Sequence, residues 1–585
     1  MNATVYLPKR PGIYPGIVCP TGHSTKTGVP YQRSCQAIAR NGYVVISFDP
    51  PGMMGELRAL NDHFTNGLIG YLTGFWSAAH FVLDALRCVD YLRSRPDVDH
   101  SAGIGMTGVS GGGVTSLFSA ILDESVAFVA PVCCLAEHEQ LHFKDLYSSC
   151  PEQFGYGFIA AGMDYADYVA LVAPRPCLIV AGRHDTLFDY RSTIRVYEDA
   201  RRAYALAGAS ERCGLFMDEA SGHDYSLRMA AEVVCWANRF LKNTQDEPLP
   251  LTEKDVEIQP AERLLCHPSN RSNMFTINRG EAVRLRSERA AAPKSVAQLQ
   301  ATIRRLLGLP EEVYPVRVVS RSEPSDCVYV SLHEIGIQPD EFVHVPGVWF
   351  THKAGIRPTL LWIDEQGKWS ALRQDAFLVR ALQPFEQEGR EAVHILSLDV
   401  AGFGRLAPEP VAYDLCAWSD IERILTYLSI ANAKPIMGLR VRDALCALAW
   451  LKSRPQVDSS RIILGGRGVG AIVALHVAAL DGHVHGLLCM DMLSHYGALT
   501  EQFPFTWPQS IVIPGILKEY DLPELLAALP PKRAVVFNPL DAQRQFVPLD
   551  SAQRTYQHAI DRSQHILCGK PPEMLTTVLK EIAAG

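Results

Sequence analysis

Short apolar runs alternate with longer amphipathic stretches along most of this chain. Residues 16–20, 44–48, 104–107, 128–132, 177–181 and 213–217 each read as a buried strand, and the segments between them carry apolar residues at helical spacing. Strands alternating with helices predict βα units around a mostly parallel sheet. The pattern also repeats. DALRCVDYLRSRPDVD (84–99) recurs as DALCALAWLKSRPQVD (443–458), with roughly nine of the sixteen positions identical, too many for two unrelated helices. Each copy ends at a proline and turns into a short apolar strand, then a glycine-rich turn and an apolar helix (114–122 and 471–480). Val44 to Asp49 with Pro51-Gly52 recurs as His394 to Asp399 with Ala401-Gly402; Pro176 to Val180 with Asp185 recurs as Arg533 to Phe537 with Asp541. The repeat predicts two tandem α/β domains, 1–245 and 296–585, each a mostly parallel sheet flanked by helices. Between them, 246–295 is polar, has no sustained period, and reads as a linker or a cap.

Composition narrows the class. With 585 residues, 48% of them hydrophobic and 20% charged, the chain has enough apolar material for sizeable cores and is not a disordered one. A net charge of −8 argues against a nucleic-acid partner. No apolar run approaches the ~18 residues of a membrane helix, so no membrane partner is expected. Fifteen cysteines without a C-x-x-C pair point to free thiols in a reducing, cytoplasmic setting. Met1-Asn2-Ala3-Thr4 runs straight into strand-like Val5-Tyr6-Leu7-Pro8, with no secretory signal, which reads as a chain beginning inside a domain.

The first copy carries candidate chemistry. Gly108-Val109-Ser110-Gly111-Gly112 fits G-x-S-x-G between a strand and a helix, the setting of a nucleophile elbow. A serine hydroxyl needs a histidine to take its proton, and that histidine needs a carboxylate on its other nitrogen. In this architecture the order is Ser, Asp, His. Asp185 ends the 177–181 strand, with Asp189 as a substitute acid, and His223 follows the last strand in Ser221-Gly222-His223. Two backbone donors would hold the oxyanion: the N–H of Gly111, and that of His23 in Thr21-Gly22-His23 after the first parallel strand.

These residues, with Asp90 to Pro96 before Val98-Asp99, resemble the α/β-hydrolase superfamily, and within it the acetyl xylan esterase and dienelactone-hydrolase-like branch, over nearly all of residues 1–242. Both domains are then expected to be α/β-hydrolase domains. The resemblance implies a serine carboxylic-ester hydrolase acting through an acyl-enzyme on short-chain, acetyl-type esters, carbohydrate esters among them, with no cofactor. Trp76, Tyr156 and Tyr225 are candidates for a sugar-stacking surface. Thr21 stands where such esterases often have histidine, and Gly111-Gly112 differs from the serine-glutamine-glycine of the cephalosporin-deacetylating group, which leaves the substrate open.

In the second copy Gly468 replaces the nucleophile in Gly466-Arg467-Gly468-Val469-Gly470, and glycine has nothing to attack with. Asp541 matches the acid; the base position falls either on His565 or on Lys570. Asp364-Glu365 follow the early strand, where carboxylates would repel an oxyanion. The second domain is expected to be non-catalytic. Three other readings stay open: a serine peptidase on the same triad, a binding or scaffold protein, and a zinc hydrolase using His138-Glu139-Gln140-Leu141-His142, an H-E-x-x-H match with no third ligand at a recognisable spacing. Self-association into a homo-oligomer also stays open.

Overall fold

The computed structural model describes residues 2–53, 62–144, 150–266, 272–323, 330–352, 355–370, 393–408, 421–529, 533–562 and 565–567. The chain forms two compact units, one built mainly from Met1–Gly70 and Phe75–Ile277, the other mainly from Asn278–Asp414 and Ile421–Gly585.

The first unit holds strands β1 (Ala3–Tyr6), β2 (Gly16–Pro20), β3 (Val44–Phe48), β4 (Ile104–Val109), β5 (Val126–Val132), β6 (Cys177–Gly182) and β7 (Cys213–Asp218). They form one sheet in the order β1-β3-β2-β4-β5-β6-β7, with β1 antiparallel to β3 and the remaining pairs parallel. Side chains alternate across the sheet, so the central strands are covered on both faces. Ile17, Cys19 and Val45 pack with residues of the helices Val29–Arg40 and Leu227–Leu241. Val18, Val44 and Ile46 pack with residues of Ala78–Ser94, Gly111–Leu122 and Tyr190–Leu206. Residues 249–259 run along the helix Val29–Arg40, exchanging side chain–backbone hydrogen bonds with Gln32, Gln36 and Asn41.

The second unit holds β8 (Arg317–Glu323), β9 (Val330–Gln338), β10 (Val345–His352), β11 (Arg357–Asp364), β12 (His394–Leu398), β13 (Val457–Arg467), β14 (Gly486–Met490), β15 (Arg533–Phe537) and β16 (His565–Leu567). From β10 to β16 the sheet order is β10-β12-β11-β13-β14-β15-β16, the order of β1-β3-β2-β4-β5-β6-β7, and β10 is antiparallel to β12 as β1 is to β3. Two further antiparallel strands, β9 and β8, extend the β10 edge. The helix Val296–Leu307 carries a Ser295–Gln298 capping box and ends on Gly308 at φ 62°.

One buried device recurs in both units. Asp49 follows β3 and accepts from the backbone N–H (2.8 Å) and ammonium (2.7 Å) of Lys26; Asp399 follows β12 and accepts from the same two groups of Lys368, each at 2.6 Å. A buried charge pair is tolerated where both partners are satisfied, and one lysine does this for each aspartate.

Candidate active site

Ser110 follows β4 with φ 59° and ψ −130°, a conformation that a residue with a side chain adopts only at a cost. Its N–H donates to Val132 O (2.9 Å), and its carbonyl accepts from Gly113 and Val114 at the start of the next helix. The Thr21-Gly22-His23 loop presses against it: a Cβ on Gly22 would lie 3.0 Å from Ser110 Cβ and from Gly111 N, so only glycine fits without displacement. The Gly22 N–H donates to the Tyr31 hydroxyl (2.7 Å), which holds the loop in place. The Gly111 N–H opens a helix and has no intrahelical acceptor.

His223 Nδ1 lies 2.9 Å from Asp185 Oδ2. Asp185 is oriented from behind, its Oδ1 accepting from the N–H groups of Leu187 (2.8 Å) and Phe188 (3.1 Å), and the Phe188 ring stacks on His223. With Nδ1–H directed at the carboxylate, Nε2 is the basic nitrogen. Asp189 does a different job, capping the helix Tyr190–Leu206 through Arg191 N. The acid and base loops touch: His184 N donates to Ser221 O (3.0 Å), and a Cβ on Gly182 would lie 2.1 Å from Gly222 O. Asp218 ties the base loop through the hydroxyls of Ser221 and Ser226, and Arg33 ties it through Asp224.

The elbow and the base loop meet across β5. Val132 accepts from Ser110, and the next residue, Cys133, points its Sγ at the carbonyls of Gly222 (3.8 Å) and Asp224 (3.5 Å), on either side of His223. Burial, with Asp185 nearby, pushes the Cys133 thiol well above its ordinary value, which keeps it protonated.

Next to the Gly22 loop, the His23 imidazole lies 3.0 Å from Glu152 and stacks on His63. Burial favours neutral His23, but Cys150 and Glu152 outweigh it and raise the ring well above the usual histidine value. Burial likewise favours neutral Glu152, and His23 overturns that, holding the carboxylate below its usual range. His63 is lowered by burial. No motif in the sequence marks His63 or Glu152.

Other expected residues fall elsewhere. Tyr225 is fully buried in the core with its hydroxyl on Thr107 (2.7 Å), so it offers no stacking face. Trp76 bonds Pro151 O through its indole N–H and packs on Phe118 and Phe158, while Tyr156 is exposed. His138 and His142 bond each other, Nδ1 to Nε2 at 2.9 Å, with Glu139 exposed. Among the described residues no third ligand joins that pair.

The second unit keeps the elbow backbone, with Gly468 at φ 61° and ψ −126°. A Cβ there would lie 2.3 Å from Glu365 Cδ. Glu365 accepts from Val469 N (3.0 Å) and from both terminal guanidinium nitrogens of Arg544, which stacks on Trp507. Asp541 accepts from Gln543 N and Gln545 N. His565 opens β16 and pairs with Val535, so it stands in the strand and not in the loop beyond it; Lys570 lies outside the described residues.

No protein-family model matches the chain. It is 28% identical over 206 residues to "Putative hydrolase YtaP" of Bacillus subtilis (34% of this chain, 66% of that protein). It is 31% identical over 146 residues to the acetyl esterase Axe7A of Xylanibacter ruminicola (23% of this chain, 31% of that protein). The chain thus spans just under two thirds and under one third of these curated relatives. Among solved structures it is similar to an acetyl xylan esterase from Paenibacillus sp. R4, at 15% identity and TM-score 0.37, over 49% of this chain and 92% of that one. Strand order and elbow give the chain the α/β-hydrolase fold, and its sequence is similar to a putative hydrolase and an acetyl esterase.

Proposed function

We propose that the first unit is a serine carboxylic-ester hydrolase acting on short-chain esters, acetyl groups on carbohydrates among them. The observation that carries this is the pairing of a φ-positive Ser110 elbow with a buried Asp185 bonded to His223, on loops that meet through Cys133. Ser110 attacks the ester carbonyl, and His223 Nε2 takes its proton and returns it to the leaving alcohol. Asp185 keeps the imidazole in the needed tautomer and stabilises it when charged. The N–H groups of Gly111 and His23 hold the tetrahedral oxyanion, and water then releases the acyl group. No step needs a cofactor. The likeness to acetyl esterase Axe7A supports the ester class over a peptide substrate.

We read the second unit as non-catalytic. Its elbow lacks a nucleophile, and the first N–H of the following helix is taken by the Glu365 carboxylate, where an oxyanion would need it.

The test is turnover of p-nitrophenyl acetate by the full chain. Ser110→Ala should lower kcat by at least about three orders of magnitude, as triad knockouts do, with the fold intact by circular dichroism. Undiminished turnover in that variant would refute the assignment.

A further inference from the structure

Three metal-ligating side chains with no step in ester hydrolysis meet beside Gly111. His23 Nε2 is 3.0 Å from Glu152 Oε1, and one ligand atom each from His23, His63 and Glu152 all lie within 4.8 Å of one another. His63 is fully buried, and its Nδ1 sits 2.6 Å from Pro51 O, so that nitrogen is the donor and Nε2 carries the lone pair. Nε2 has no hydrogen-bond partner among the described residues. Glu152 is 2% exposed, with Oε1 3.0 Å from the His23 ring and Oε2 without a hydrogen-bond partner among the described residues. The lone pair of His63 Nε2 and the free carboxylate oxygen are costly to bury, and one cation, displacing the proton that His23 shares with Glu152, satisfies both.

We propose that His23, His63 and Glu152 bind one divalent transition-metal ion, zinc by its donor set. Two imidazole nitrogens and one carboxylate form a ligand set of catalytic zinc sites, which keep a further position for water or a substrate oxygen. Gly111 faces the trio without a side chain: a Cβ there would lie 3.7 Å from His23 Cε1 and 3.9 Å from Glu152 Oε1. An ion at the trio therefore neighbours the N–H that the ester mechanism assigns to the oxyanion. His138 and His142 are not part of this site: among the described residues only His23, His63 and Glu152 bring three ligand atoms together.

Calorimetric titration of the chelator-stripped full chain with zinc ion tests the site directly. One equivalent should bind, and cobalt(II) in its place should give the d–d absorption of nitrogen and oxygen ligation. Glu152→Gln, which keeps the side-chain shape, and His63→Ala should each weaken binding by more than the roughly 10–100-fold that loss of an outer-shell partner causes. His138→Ala and Ser110→Ala should bind as the parent does, so metal uptake and ester hydrolysis are read separately. Absence of a stoichiometric equivalent in the parent, or uptake unchanged in both ligand variants, would overturn the proposal.

Discussion

The two elbows share a backbone and exchange a side chain. Ser110 and Gly468 have φ/ψ of 59/−130° and 61/−126°. Strand register aligns Gly16 with Val44 in the first sheet and Thr359 with His394 in the second, which puts Gly22 and Glu365 at the same offset from their strands. In the first unit Gly22 gives up its side chain and Ser110 keeps one; in the second, Gly468 gives up its side chain and Glu365 fills the space. The strand order, the helix that follows the elbow and the buried Lys–Asp pair are common to both units. The fold thus specifies a strained turn at the helix N-terminus, and two positions decide what that turn can do.

The comparison can be broken most sharply at the acid. Asp185→Asn should cost kcat about 10³–10⁴, because the imidazole loses its tautomer, whereas Asp541→Asn should leave turnover unchanged. Equal losses in the two variants would show that the units contribute alike. Next come the shared supports. Asp49→Asn and Asp399→Asn each strand a buried lysine and should destabilise their own unit by about 3–5 kcal/mol in urea unfolding followed by unit-specific hydrogen exchange. A smaller effect is expected at the exchanged side chains. Gly468→Ser alone forces a Cβ into Glu365 and should cost about 1–3 kcal/mol, and Glu365→Gly in the same chain should recover much of it, a coupling measurable as a double-mutant cycle.

The smallest effect expected is in pH dependence. Burial, opposed by Arg442, raises the Asp443 carboxyl to about 6. A carboxyl raised above its unfolded value holds its proton in the folded state while the unfolded chain releases it, so stability falls as pH rises from about 4 to about 6. Asp443→Asn should flatten that fall, by an amount on the order of 2 kcal/mol between pH 4 and pH 7.

Much of this was legible in the sequence. Short apolar runs and helical spacing located the parallel strands and the helices after both elbows, because the central strands are packed on both faces, as the two cores of the first unit show. G-x-S-x-G is local and the Asp and His loops follow identifiable strands, so the candidate triad could be read from order alone. The edge strands β8 and β9 were not expected, since their polar alternation (RVVSRSE in β8) resembles loop composition. Tyr225 was misread because exposure depends on packing that sequence does not display. The His63–Glu152 neighbourhood joins segments 89 residues apart (152 − 63) with no motif between them. The Lys26–Asp49 pair left a trace only in the recurrence of the aspartate as Asp399.

The central claim is that nucleophilic chemistry resides at one elbow and not at the other. Treating the full chain with a fluorophosphonate and mapping the adduct by mass spectrometry tests it directly. The account predicts a single adduct on the peptide bearing Ser110, abolished in Ser110→Ala. An adduct on another serine, or ester turnover surviving in an unlabelled chain, would contradict it.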